Sequence, residues 1–381
     1  MLEKTLFSRA GEIPGAVQRL AALGEAGERE RQKAEALLTA SVGISSETFR
    51  EEAFARFFEE HLPLFGWERI WRDEAGNCIA SRGKGSKELL LLGHMDTVPG
   101  GPSPRVKGNL LFGRGSVDAK GSLCAFAVAG GKAPLSEEWR ITLVGVVGEE
   151  VDSRGMRHFM RCREKEAPPA GCLVGEPSGI SGITLGYRGR CLVRLRDEDG
   201  GAHRSGDSGP QTRVLRGAAA ILAWVEERDS PEEPVIRRPS GSVLSMKGIE
   251  AGCRSGEILL DIRLPLGADS REWGSAMLAI GKTWGVSGEV AETLNAFMTS
   301  RSDPLVRAFR VALRREGYEP KLLAKGGTAD LNHAAAWNCP LAAYGPGDSR
   351  LDHTAEEHIS LEEYCGSITV LEKSLFRFME S

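Results

Sequence analysis

The chain has 381 residues, 41% of them hydrophobic and 27% charged, with a formal net charge of −4. That length allows two domains and a sizeable core, and the slight negative charge argues against general nucleic-acid affinity. No run approaches the roughly 20 apolar residues of a membrane span, so neither a nucleic acid nor a membrane is an expected partner.

Residues 1–30 form an N-terminal extension that ends in the charged run Gly27-Glu-Arg-Glu-Arg31 and carries no signal-peptide pattern. Helical periodicity begins over Arg31–Thr39. It returns over Glu47–Leu62, where Phe49, Ala53, Phe54, Phe57 and Phe58 fall on one face. Glu74-Ala75-Gly76 between two β-rich runs predicts a hairpin of residues 69–73 and 77–81. Leu89–Leu92 are four consecutive leucines, which read as a buried strand closing on Gly93-His94-Met95-Asp96. A loop rich in Pro, Gly and Asn runs to Leu110, and Gly113–Asp118 leads into a small-residue helix at 119–131. The strand 140–147 ends in Gly148-Glu149-Glu150, and a helix over 152–163 has Asp152 or Ser153 as its N-cap. The strand 171–174 ends in Gly175-Glu176-Pro177. Strands alternating with helices, each strand closing on a glycine and an acid, predict one mostly parallel α/β sheet.

The pattern then changes. A strand over 183–196, a helix over 211–227, strands over 242–250 and 257–264, a helix over 270–283 and a strand over 286–292 give the order βαββαβ, a ferredoxin-like unit. Residues 182–292 are therefore expected to form an inserted second domain. The α/β pattern resumes with a helix at 303–317, the loop Lys325–Asp330, the strand 339–344 and a closing helix at 361–379. The catalytic domain is thus expected to comprise 31–181 and 293–381. The eight cysteines are scattered with no Cys-x-x-Cys pair, which suits reduced thiols in the cytoplasm.

His94, Asp118, Glu150, Glu176 and His353 all sit at strand ends or in adjoining loops. Ligands of open α/β sheets bind at such carboxyl ends. Two imidazoles and three carboxylates suit zinc or another borderline divalent ion. A single tetrahedral site would use only some of them. Two ions sharing a carboxylate would use all five and leave positions open for water, with the short side chain of Asp118 as the natural bridge. Asp96 is placed to accept the other N–H of His94 and fix its tautomer. Glu149, beside Glu150, can reach a metal-held water as general base and pass the proton to a leaving amine.

Gly93-His-Met-Asp-Thr-Val-Pro99, Gly113–Gly121, Gly148-Glu-Glu150 and Gly175-Glu-Pro177 together resemble the M20 metallopeptidase/deacylase family over roughly residues 40–381. The resemblance implies a zinc-peptidase-like, two-metal catalytic domain with an inserted ferredoxin-like lid through which the protein forms a homodimer. The ions would be zinc, with cobalt as the alternative. His94, Asp118 and Glu176 would hold one ion, and Asp118, Glu150 and His353 the other. Asp96 would be the orienting acid and Glu149 the general base. His203 resembles the lid histidine that stabilises a tetrahedral oxyanion. Arg263 resembles the lid arginine that takes a substrate carboxylate, and Gly327 and Thr328 the loop that holds it; a helix N-cap at Thr328 is the alternative.

Glu176–Gly189 and Ala343–Thr354 narrow the resemblance to the branch that releases lysine or ornithine from an amino-group carrier protein. That branch cuts the amide between the carrier's C-terminal glutamate γ-carboxyl and the product's α-amine, in lysine or arginine biosynthesis. Small-molecule deacylases of acetylornithine or succinyl-diaminopimelate, and M20 dipeptidases or carboxypeptidases, are the alternative. Asp330, Asp348 and Asp352 are candidates to meet a substrate ammonium, and Arg105, Lys107, Arg188 and Arg190 to form a basic rim for an acidic carrier. The family's usual Pro-Ser-x-Ser-Gly-Glu-Glu opening is replaced by Gly43–Glu52.

Overall fold

A computed structural model describes residues 27–200, 208–249 and 253–381. The chain divides into two compact units. One holds the described residues up to Leu185 together with 299–323 and 333–381; the other holds 186–298 and 324–332.

The larger unit is built on the leucine strand. Lys87–His94 pairs in parallel with Trp139–Val146 on one side and with Gly171–Val174 on the other. Gly171–Val174 pairs in parallel with Leu341–Ala343. These four strands form the parallel centre of the sheet. The hairpin Arg69–Arg72 and Cys78–Gly83 extends it antiparallel beyond Trp139–Val146, and Gly182–Tyr187 joins antiparallel at Leu341–Ala343. Leu89 to Leu92 are fully buried, as a strand covered on both faces requires. The helix Lys120–Lys132 lies close because its residues are small: a Cβ on Gly130 would stand 2.6 Å from Leu91 Cδ1, and one on Gly131 2.0 Å from the Phe65 carbonyl. The closing helix Leu361–Met379 starts where the Ser360 hydroxyl accepts the Glu363 N–H, and buries Tyr364, Leu371 and Leu375 in the same core.

Three local readings are corrected. The aromatic helix begins at Glu52, not Glu47; Phe54, Phe57 and Phe58 are buried, but Ala53 is exposed and Phe49 lies outside the helix with φ +73° and 64% exposure. The stretch 97–110 is not all loop, because Arg105–Lys107 and Leu110–Phe112 pair, and His358–Ser360 completes a small three-stranded sheet. The single strand expected over 183–196 is two strands, Gly182–Tyr187 in the larger sheet and Gly189–Asp199 in the smaller unit.

In the smaller unit, four antiparallel strands run in the order Ser240–Ile249, Arg254–Leu264, Gly189–Asp199, Ser287–Leu294. With the helices Gly209–Glu226 and Ser270–Thr283 between them in sequence, this is the 2-3-1-4 order of a ferredoxin-like βαββαβ unit. Inward residues such as Val193, Leu195, Leu260 and Ile262 pack with Val214, Ile221 and Met277 of the helices. The strand Ser240–Ile249 lies on the edge, with Val243, Leu244, Met246 and Ile249 exposed.

Candidate metal centre

The carboxyl ends of three adjacent parallel strands carry His94, the Glu149–Glu150 turn and Glu176. His94 is level with Val146, four residues before Glu150. The Gly175 N–H donates to the Leu92 carbonyl at 2.6 Å, which brings the buried Glu176 to the same edge. Asp118 arrives from the loop before the small-residue helix, and His353 from the loop after Leu341–Ala343.

Of these groups, His94, Asp118, Glu150 and His353 converge. His94 Nε2 is 3.2 Å from Asp118 Oδ1, and His353 Nε2 is 3.0 Å from Asp118 Oδ2 and 3.0 Å from Glu150 Oε2. His94, Asp118 and Glu150 each offer a ligand atom within 4.8 Å of the others. Asp118 therefore faces His94 with one oxygen and His353 with the other, the geometry expected of a bridge. His353 has a left-handed backbone, φ +62°, which a non-glycine residue adopts at some energetic cost.

The electrostatics suit a cation. Burial alone would lower His94, but hydrogen bonds to Asp118 and Asp96 hold it well above the usual imidazole range. Hydrogen bonds to Asp118 and then Glu150 push His353 up to about 10. Burial would raise Asp118, yet its bonds to His353 and His94 win and keep the carboxyl below its ordinary value. Burial raises Glu150. The carboxylates thus favour positive charge beside them, which is why both imidazoles are held above their ordinary value. Nitrogen and oxygen donors of this kind fit zinc or a similar divalent ion.

Asp96 is fully buried and serves the turn as well as His94. Its Oδ1 accepts the Glu149 N–H at 3.0 Å; its Oδ2 accepts the Glu150 N–H at 3.2 Å and the Thr48 hydroxyl at 2.8 Å. The imidazole Nδ1 of His94 stands 2.9 Å from the Asp96 carbonyl and 3.6 Å from its Oδ1. Thr48, in the segment that replaces the family's usual opening, was not legible as a partner of Asp96. Glu357 was missed as well. It is fully buried, accepts the Val117 and Asp118 N–H groups at 3.0 and 3.2 Å, and pairs with Arg114 at 2.5 Å.

Within the smaller unit, Arg263 Nη1 donates to Thr328 Oγ1 at 2.8 Å, and that hydroxyl donates to the Arg188 carbonyl at 3.1 Å. Gly327 has open space where a side chain would begin. Arg188 is not a free rim charge, since it donates to the carbonyls of Gly326 and Arg238; Arg190 is paired with Asp261. Arg105 and Lys107 are exposed. Asp348 caps the turn Ser349–Leu351 and pairs with Arg350. His203 lies outside the described residues.

A family model described as peptidase family M20/M25/M40 matches residues 90–377. The chain is 35% identical over 361 residues to a LysW-lysine hydrolase of Deinococcus radiodurans, an alignment covering 92% of this chain and 98% of that protein. It is 36% identical over 333 residues to a putative LysW-lysine/LysW-ornithine hydrolase of Thermococcus kodakarensis, covering 87% and 88%. Among solved structures, an M20 family metallo-carboxypeptidase from Sulfolobus solfataricus superposes with a TM-score of 0.74 at 16% identity, over 90% of this chain and 98% of that one.

Proposed function

The chain belongs to peptidase family M20/M25/M40, and from that premise we propose that it is a two-metal amide hydrolase acting on an amino-group carrier protein. It releases lysine or ornithine from the γ-glutamyl C-terminus of that carrier, in lysine or arginine biosynthesis. The observation that carries this reading is the cluster His94–Asp118–Glu150–His353 in a chain that aligns with 98% of a LysW-lysine hydrolase.

The residues divide the work. His94, Asp118 and Glu176 would hold one ion, and Asp118, Glu150 and His353 the other. Zinc ions held there, or cobalt in their place, would supply Lewis-acid polarisation of the amide carbonyl and a water with its pKa lowered to about 7. Asp96 fixes the imidazole of His94 and, by accepting both main-chain N–H groups, the direction of the Glu149–Glu150 turn. Glu149 takes the proton of the attacking water and delivers it to the departing α-amine. His203 donates to the oxyanion. Arg263, Gly327 and Thr328 receive the product's carboxylate, the fork of Arg263 suiting a bidentate contact.

The smaller unit is the lid and dimerisation domain. An exposed edge strand carrying Val243, Leu244, Met246 and Ile249 supports a homodimer, because such an edge pairs readily with a second copy. The eight cysteines, scattered with no Cys-x-x-Cys pair, support a cytoplasmic enzyme, and no helix among the described residues is long and apolar enough to cross a membrane.

The test compares lysine release from the γ-glutamyl-linked carrier with turnover of N-acetylornithine and N-succinyl-diaminopimelate, each with zinc or cobalt added. Release from the carrier alone supports the proposal. Turnover of a free acyl amino acid with none of the carrier overturns the substrate and keeps the chemistry.

A further inference from the structure

Glu357 is the residue on which the loops of two ligands meet. Its chain segment begins at His353 and enters the small sheet at His358–Ser360, opposite Leu110–Phe112. Its own carbonyl accepts the Gly113 N–H at 3.2 Å, so the segment is tied to the start of the Asp118 loop. Its side chain then reaches the end of that loop, where Oε1 takes the N–H groups of both Val117 and Asp118. The other oxygen takes Arg114 Nη1, and Arg114 Nε donates to the Gly100 carbonyl at 3.3 Å. The carboxylate is fully buried. Burial raises its pKa, and the Val117 and Asp118 N–H groups and Arg114 oppose that rise.

We propose that Glu357 is a positioning residue of the metal centre: by holding the Val117–Asp118 backbone it sets where the two oxygens of Asp118 stand between His94 and His353. The inference rests on the metal-centre reading above. Groups that orient a metal ligand change affinity by about 10–100-fold when removed.

A plain ion pair with Arg114 would use the same carboxylate, and the two roles rank variants in opposite order. Glu357→Gln keeps the length and an oxygen at the two N–H groups but loses the charge. Glu357→Asp keeps the charge but is one methylene too short to span the N–H groups and Arg114 together. The positioning role predicts that Asp weakens metal binding about 10–100-fold, while Gln stays within about threefold of wild type, a change near 0.7 kcal/mol. Zinc titration of the metal-free proteins against a competing chelator reads this directly. Amide exchange at Val117 and Asp118 in the metal-free proteins gives a second readout: protection persists in Gln and falls in Asp. Circular dichroism confirms that both are folded. An Asp variant that binds like wild type, an Asp variant that outranks Gln, or equal losses in the two overturns the proposal. Failure of the wild-type protein to bind zinc would instead overturn the metal-centre reading.

Discussion

Replacing Asp96 with Asn is a near-isosteric change at a buried position, and its cost can be worked from three contacts. In the best orientation the amide oxygen takes the place of Oδ2 and keeps the Glu150 N–H and the Thr48 hydroxyl. The amide nitrogen then stands where Oδ1 accepted the Glu149 N–H, so two donors face each other. One orphaned buried N–H costs about 1–3 kcal/mol, and each retained bond drops from charge-assisted to neutral strength, about 1 kcal/mol apiece. The expected loss is about 3–5 kcal/mol in the metal-free protein. Because the damage falls on the turn carrying Glu149 and Glu150 and on the ring of His94, zinc affinity should fall about 10–100-fold as well. Urea unfolding of the metal-free variant and zinc titration measure both. A stability loss below about 1 kcal/mol together with wild-type zinc affinity would refute the role given to Asp96.

Phe49→Gly should change stability by less than about 1 kcal/mol although it deletes a whole ring, because relief of a left-handed backbone worth about 1–2 kcal/mol offsets the lost contact with Arg154 and the added chain entropy. Phe49→Ala, which keeps the Cβ, should be the less stable of the two; the reverse order in thermal melts would contradict this. Lys120 is buried with its ammonium on the Ser41 and Ile44 carbonyls, and burial depresses it to about 7 from an ordinary value of 10.5. Between those values the unfolded chain binds the extra proton, so stability should rise with pH across that window and Lys120→Met should flatten the rise. Zinc binding should release protons, since the neighbouring carboxylates push His353 up to about 10 and hold His94 above the ordinary imidazole value in the metal-free protein. Affinity should therefore climb as pH rises toward about 10, where His353 loses its proton unaided. Calorimetry in two buffers of different ionisation enthalpy counts the protons, and a count of zero would sink the electrostatic account.

The parts of the centre that were legible in the sequence are those where chemistry and local structure coincide. His94 and Asp96 follow four leucines, Glu149 and Glu150 follow a β-rich run, and Glu176 follows another, so each could be placed at a strand end before the strands were seen to pair. Glu357 left no such signal. It acts through main-chain N–H groups 240 residues earlier, and any carboxylate in an acidic segment looks alike on the page. Thr48 was hidden for the same reason, since its partner is Asp96, 48 residues on. Phe49 continued an aromatic periodicity that tertiary packing interrupts at Glu51, whose carboxylate pairs with Arg154. The alternation over 183–196 runs through Arg188 without a break. Alternation reports which face a residue takes, not which sheet it joins, so the passage from one sheet to the next was invisible.

The most direct test of the central claim is lysine release from the γ-glutamyl-linked carrier by wild-type protein and by Glu149→Gln, each loaded with zinc and matched for metal content. Loss of a general base predicts a fall of about 10²–10⁴-fold in turnover with zinc content unchanged. Turnover within a few-fold of wild type at equal zinc content would contradict the assignment of Glu149 and, with it, the proposed route of the proton from water to the departing amine.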